Sequence, residues 1–348
     1  MDLAYKNKFV GYKIALERKT MSELNILVTI PFDETEKPEL EAICPDASFT
    51  YCDQDDADEA LIASADIILG NAEVSLIKES PRLKWIHLSN AGADIYTRPG
   101  VLAPGTILTN SSGAYGLNIS EHMIGMLLMM MKKLDRYYVE QLNKNWADRG
   151  QVRSIYGSRI LIVGLGDIGG QFAKKVHALG AYTVGIKRRL GEKPEYLDEL
   201  KGMDELDQEL AKADVVACSL PASPETYHMF DAERFRKMNP NAIIINVGRG
   251  SLIDSYALCD ALNNDVIAGA CLDVVEPEPL PTDHPLWDAK HLIITPHASG
   301  YYHLPETLKR IKIMVMENLR AYVSGSPLKN KVDMKTGYRD NTAGNILM

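Results

Sequence analysis

The sequence predicts an α/β protein built from two doubly wound domains. Three observations carry this expectation. At 348 residues the chain exceeds the ~250–300 at which one hydrophobic core usually stops growing. Short apolar or β-branched runs alternate with helical stretches in two successive series, the pattern of βαβ units around parallel sheets. A glycine motif stands at the end of the first strand of the second series.

The first series runs Ile26-Leu27-Val28-Thr29-Ile30, Asp66-Ile67-Ile68-Leu69, Leu83-Lys84-Trp85-Ile86 and Thr106-Ile107-Leu108-Thr109. A long helix is expected from near Asn118-Ile119-Ser120-Glu121 toward Leu134, bridging the two domains. The second series runs 159–163, 182–186, 214–218, 242–246, 267–270 and 292–295, near-continuous apolar strands of the kind that helices cover on both faces. Leu308, Ile311, Val315 and Leu319 then recur at helical intervals between Leu304 and Val323, and the helix should end before Gly325 and Pro327. No strand remains for it in the second series, so it is expected to return to the first domain and make that domain discontinuous and flavodoxin-like. The expected division is 1–20 an extension, 21–118 with 299–330 the substrate domain, 119–298 a Rossmann domain, and 331–348 a polar tail.

Composition narrows the partners. Hydrophobic residues at 46% and charged residues at 24% are globular proportions, which exclude a disordered or collagenous chain. A formal charge of −9 repels polyphosphate, so nucleic acid is not an expected partner. Cys44, Cys52, Cys218, Cys259 and Cys271 form no CxxC pair, which points to buried free thiols in a reducing cytoplasm. The longest apolar run, Met123 to Met131, is short of the ~18 residues of a membrane span and is read as a packed core helix. The first 20 residues have no secretory pattern.

Gly164-Leu165-Gly166-Asp167-Ile168-Gly169 is GxGxxG between a strand and a helix. Its first glycine makes a tight turn, its second admits a diphosphate to the backbone, and its third lets helix and strand pack closely. The diphosphate would sit at the helix N-terminus, where N–H groups and the dipole favour negative charge. An acid for the ribose 2′-hydroxyl is expected about 20 residues further on. Lys187, Arg188 and Arg189 stand there instead, which favours a 2′-phosphate and therefore NADP over NAD.

Ordered motifs follow: Leu220-Pro221-Ala222-Ser223-Pro224-Glu225-Thr226, Asn246-Val247-Gly248-Arg249-Gly250, Leu272-Asp273-Val274-Val275-Glu276-Pro277-Glu278-Pro279, Pro285-Leu286-Trp287 and Thr295-Pro296-His297-Ala298-Ser299-Gly300. In order and spacing they resemble the D-isomer-specific 2-hydroxyacid dehydrogenase family over most of residues 80–310. The resemblance implies Arg249 as the grip on a 2-oxo acid, His297 as acid/base and Glu278 as its carboxylate partner, with Glu276 left as a surface acid. It implies cofactor contacts from Gly164, Gly166, Asp167, Ile168, Gly169, Leu220, Pro221, Thr226 and Val247, and from Asp273 to the nicotinamide carboxamide. The Ala91-Gly92 backbone would hold the substrate carboxylate, in a cleft between the domains. The implied reaction moves a hydride between NAD(P)H and a small 2-oxo acid, requires no metal and takes place in a homodimer whose contact includes the stretch around Trp146. A dinucleotide-sensing corepressor or scaffold and a formate dehydrogenase are the alternatives on the same fold.

Overall fold

A computed structural model describes residues 24–337. The expected extension at 1–20 and the end of the expected tail, 338–348, lie outside the described residues. The described chain divides into two compact units, 24–114 with 308–337 and 115–307.

In the first unit, β1 (Asn25–Val28), α1 (Lys37–Glu41), β2 (Ser48–Tyr51), α2 (Glu59–Ser64), β3 (Ile67–Leu69), α3 (Val74–Ile77), β4 (Trp85–His87) and β5 (Ile107–Thr109) follow in order. The strands form one parallel sheet of order β2-β1-β3-β4-β5, the flavodoxin-like arrangement. Ile67, Ile68 and Leu69 are fully buried, as a central strand covered on both faces requires. Edge strand β2 is absent from the sequence reading. Its Ser-Phe-Thr-Tyr run is short and half exposed, so no continuous apolar run marks it.

In the second unit come α4 (Gly116–Met131), α5 (Leu134–Leu142), β6 (Arg159–Val163), α6 (Asp167–Ala178), β7 (Tyr182–Ile186), β8 (Glu199–Lys201), α7 (Leu206–Leu210), β9 (Val215–Cys218), α8 (Ala232–Lys237), β10 (Ile243–Asn246), α9 (Ser255–Asn263), β11 (Gly269–Leu272) and β12 (Leu292–Ile294). Their parallel sheet has the order β12-β11-β10-β9-β6-β7-β8, with the strand order reversing between β6 and β9 as in a Rossmann domain. The three-residue edge strand β8 also escaped the sequence reading, because Glu199 and Lys201 flank a single leucine. Helix α4 stops at Met131 rather than near Leu134. Lys133 takes a left-handed φ of 56°, and α5 starts afresh beyond it.

The final helix, α10 (Pro305–Val323), buries Ile311, Val315 and Leu319 completely. In the first unit, its Asn318 bonds to Nδ1 of buried His87 at 3.2 Å and Tyr322 stacks on Trp85 at 5.2 Å. The units meet at 114/115 and 307/308, displaced from the expected 118/119 and 298/299. Residues near 299 stay with the second unit because Asn118 Nδ2 donates to the Ser299 carbonyl at 2.8 Å and His303 Nδ1 to the Ala298 carbonyl at 3.0 Å. The expected tail also begins late: Lys331 bridges Thr109 and Val332 is buried.

All five cysteines are free and four are buried. Cys52 corrects the expectation of uniform burial: it lies just beyond edge strand β2 and is only half-buried. Among the described residues no helix is long and apolar enough to cross a membrane.

Candidate active site

The glycine turn joins β6 to α6. Gly164 has a φ of 101°, in the left-handed region that only glycine enters without cost. A Cβ on Gly169 would lie 1.9 Å from the Gly164 carbonyl oxygen, so strand and helix touch there backbone to backbone. A Cβ on Gly166 would meet nothing within 4 Å. Gly166 is also the N-cap of α6 and supplies no side-chain bond to the first-turn N–H groups. A tight turn, an open second glycine and an uncapped twelve-residue helix fit a diphosphate.

The other expected cofactor residues surround this turn in different ways. Asp167 opens α6, but its carboxylate accepts the Gly116 N–H at the start of α4 at 2.7 Å. Ile168 is half-buried in the first turn. Leu220 and Pro221 follow β9. The buried Thr226 hydroxyl closes their loop, donating to the Pro221 carbonyl at 2.9 Å and accepting the Ser223 N–H at 2.9 Å. Val247 donates its N–H to the Cys218 carbonyl at 3.1 Å. Lys187, Arg188 and Arg189 are exposed immediately after β7.

Arg249, Glu278 and His297 come from three loops beyond β10, β11 and β12. Gly250 makes the first approach possible, since a Cβ there would lie 1.8 Å from the Val275 carbonyl oxygen. Arg249 donates from Nη1 to the Gly248 carbonyl at 2.8 Å, and its own carbonyl accepts from Asn246 Nδ2 at 2.8 Å. His297 Nδ1 lies 3.0 Å from Glu278 Oε2, while Glu278 Oε1 accepts the Val275 N–H at 2.9 Å. The hydrogen bond to Glu278 raises the His297 pKa above its ordinary 6.5; partial burial and the Arg249 charge oppose this, whereas the charges of Glu278 and Asp273 support it. Burial pushes the Glu278 carboxyl up, but bonds from His297 and Val275 and the charges of His297 and Arg249 outweigh it and hold it low. The pairing thus favours the imidazolium and carboxylate forms together, with Nδ1 committed to Glu278.

Asp273 is 1% exposed, and its carboxylate is turned to the loop that carries His297. Oδ1 accepts from Thr295 Oγ1 at 2.6 Å and from the Ala298 N–H at 2.9 Å; Oδ2 accepts the Ser299 N–H at 3.2 Å and the Ser299 hydroxyl. Glu276, its side chain 41% exposed as expected of a surface acid, places Oε2 3.1 Å from Nε2 of His228. Ala91 and Gly92 belong to the first unit, where Asn110 Nδ2 donates to the Ala91 carbonyl at 2.6 Å. Sequence reasoning passed over Asn118 and His122. Their four-residue spacing puts them on one face of α4, the available signal, but nothing in the sequence says what that face meets.

The parallel sheet with its strand-order reversal, the open glycine turn and the histidine–carboxylate pair define a dinucleotide-dependent oxidoreductase. Residues 124–299 match the profile of the D-isomer specific 2-hydroxyacid dehydrogenase, NAD binding domain. A glyoxylate reductase of Korarchaeum cryptofilum is 31% identical over 76% of this chain and 80% of its own length. The crystal structure of a D-isomer specific 2-hydroxyacid dehydrogenase family protein from Aeromonas salmonicida superposes with a TM-score of 0.79 and 32% identity, covering 89% of this chain and 99% of that one. An NADPH-dependent glyoxylate/hydroxypyruvate reductase from Sinorhizobium meliloti, solved with NADP and sulfate, gives a TM-score of 0.75 at 25% identity, covering 90% of this chain and 100% of that one. The chain belongs to the D-isomer specific 2-hydroxyacid dehydrogenase family and is an NAD(P)-dependent enzyme.

Proposed function

We propose that the protein reduces a small 2-oxo acid to a D-2-hydroxy acid with NADPH, using His297 as acid/base, Glu278 as its partner and Arg249 as the substrate grip. The observation that carries this is the 3.0 Å bond between His297 and Glu278, with Arg249 near enough for its charge to act on both. The nicotinamide, when bound, supplies or takes the hydride. Arg249 presents a planar guanidinium to the carboxylate and carbonyl oxygens of the substrate. His297 gives a proton to the ketone oxygen in reduction and takes the hydroxyl proton in oxidation. Glu278 stabilises the imidazolium and, held by the Val275 N–H, fixes the ring's orientation. The Ala91-Gly92 backbone is assigned to carboxylate binding by the family resemblance of its loop.

Lys187, Arg188 and Arg189, exposed after β7, support a 2′-phosphate and hence NADP. Gly164, Gly166 and Gly169, with the backbone of Asp167 and Ile168, form the cradle; Leu220, Pro221, Thr226 and Val247 line the loops beside it. A homodimer is supported by exposed apolar side chains from Leu134, Tyr138, Val139 and Leu142 on α5 and by the fully exposed Trp146 that follows. The mostly buried free thiols are consistent with a cytoplasmic enzyme.

The test assays glyoxylate, hydroxypyruvate, pyruvate and phenylpyruvate with NADPH and NADH in parallel, beside formate with NAD. Turnover of at least one 2-oxo acid, faster with NADPH, is expected. Formate oxidation alone, or tight dinucleotide binding without any turnover, would transfer the protein to one of the alternatives on this fold.

A further inference from the structure

Two side chains of α4 grip opposite ends of the loop that bears the acid/base histidine. Asn118 Nδ2 donates to the Ser299 carbonyl at 2.8 Å, and one turn later His122 Nε2 lies 3.0 Å from Thr295 Oγ1. The Thr295 hydroxyl has a single proton, and it is directed to Asp273 Oδ1 at 2.6 Å. His122 must therefore donate its Nε2–H to Thr295, which fixes its tautomer when the ring is neutral. Asp273, almost wholly buried, collects the loop from beneath through Thr295, Ala298 and Ser299. The Asp273 carbonyl also accepts the His297 N–H at 2.8 Å.

Between these anchors His297 adopts a φ of 52°, a left-handed conformation unusual for a residue with a side chain. Such a conformation persists where the surroundings over-determine it. The anchors on both sides, 295 and 299, come from the same helix face and the same buried carboxylate.

We infer that Asn118 and His122, acting with Asp273 through Thr295 and Ser299, are positioning residues that set the direction of the His297 imidazole. The inference rests on the acid/base role proposed above for His297. The groups that face His297 electrostatically are Glu278, Asp273 and Arg249. The clamp leaves all three charges unchanged and governs only where the ring stands among them.

The test compares Asn118→Ala, His122→Ala, His122→Gln, Thr295→Val and His297→Asn with the wild type, using the 2-oxo acid reduced fastest in the panel and NADPH. For Asn118→Ala, His122→Ala and Thr295→Val, kcat should fall about 10- to 100-fold while KM changes less than about threefold. The His297 titration, followed by NMR of histidine-labelled protein without substrate, should move toward the ordinary value as the ring leaves Glu278. His122→Gln keeps an N–H donor and should recover most of kcat. Unchanged kcat and an unchanged His297 titration in properly folded His122→Ala and Asn118→Ala would overturn the clamp, as would a His122→Gln as impaired as His122→Ala. If Thr295→Val or either alanine variant does not fold, the remaining variants and the glutamine replacement decide. Wild-type turnover by His297→Asn would instead remove the acid/base role itself; an inactive His297→Asn beside unaffected clamp variants would remove only this inference.

Discussion

Glu278 and His297, 19 positions apart, are joined through Oε2 and Nδ1 at 3.0 Å, and the other oxygen of the same carboxylate is held by the Val275 N–H. The carboxylate is thereby fixed at both ends, and it raises the pKa of the ring. In the reaction proposed above, reduction uses the imidazolium. Its rate should therefore stay high as pH rises past 6.5 and fall only above the raised His297 pKa. In Glu278→Gln the charge is gone, the fall should begin at lower pH, and kcat for reduction at neutral pH should drop about 10- to 100-fold. Rate profiles of both proteins from pH 5 to 9 check this; superimposable profiles would reject the pairing.

Gly166 and Gly169 separate binding from folding. Gly169→Ala places a methyl group against the Gly164 carbonyl and should lower stability by about 1–3 kcal/mol, read by urea denaturation. Gly166→Ala meets no neighbour and has a φ of −79°, so stability should stay within about 0.5 kcal/mol. Its methyl group instead occupies the open side of the turn, and the Kd for NADPH should rise about tenfold or more.

The basic run after β7 offers a test of cofactor choice. Arg188→Ser with Arg189→Ser should lower kcat/KM for NADPH by about 10- to 100-fold, the value of one or two charge-assisted hydrogen bonds. NADH kinetics should change less than about threefold. Equal losses with both cofactors would mean that the arginines act on the dinucleotide as a whole.

His87 makes the first unit acid-sensitive. Full burial lowers its pKa from 6.5 to about 3, and its ring bonds to Thr109, Ser111 and Asn318 while neutral. The unfolded chain takes up this proton near 6.5 and the folded chain does not. Stability is therefore complete above that pH and declines as pH falls toward 3, by up to about 1.4 kcal/mol per pH unit. Denaturation curves at pH 7 and pH 5 should show this slope, and His87→Asn should reduce it.

Much of the fold and part of the site were legible in the sequence, for identifiable reasons. Central strands such as Ile67–Leu69 and Ile243–Asn246 are buried on both faces and so are written as apolar runs. Edge strands β2 and β8 need only one neighbour and carry no such record. The glycines of the turn were readable because backbone contacts at Gly164 and Gly169 demand that residue type. The hold of Asp273 on the loop of His297 was not readable. The letters around Asp273 say nothing of the Ala298 and Ser299 N–H groups, 25 and 26 positions further on, that its carboxylate collects. His122 was hidden in the same way, because Thr295 lies 173 positions away in the chain.

Cys52 has a practical consequence. It is the single half-open thiol of five, while Cys218 and Cys271 are sealed in the core. Burial, reinforced by Asp56, Asp53 and Asp58, keeps its thiolate scarce at neutral pH. A maleimide dye applied under mildly alkaline conditions would therefore mark one place in the first unit, giving a native fluorescent reporter for that unit without any engineered cysteine.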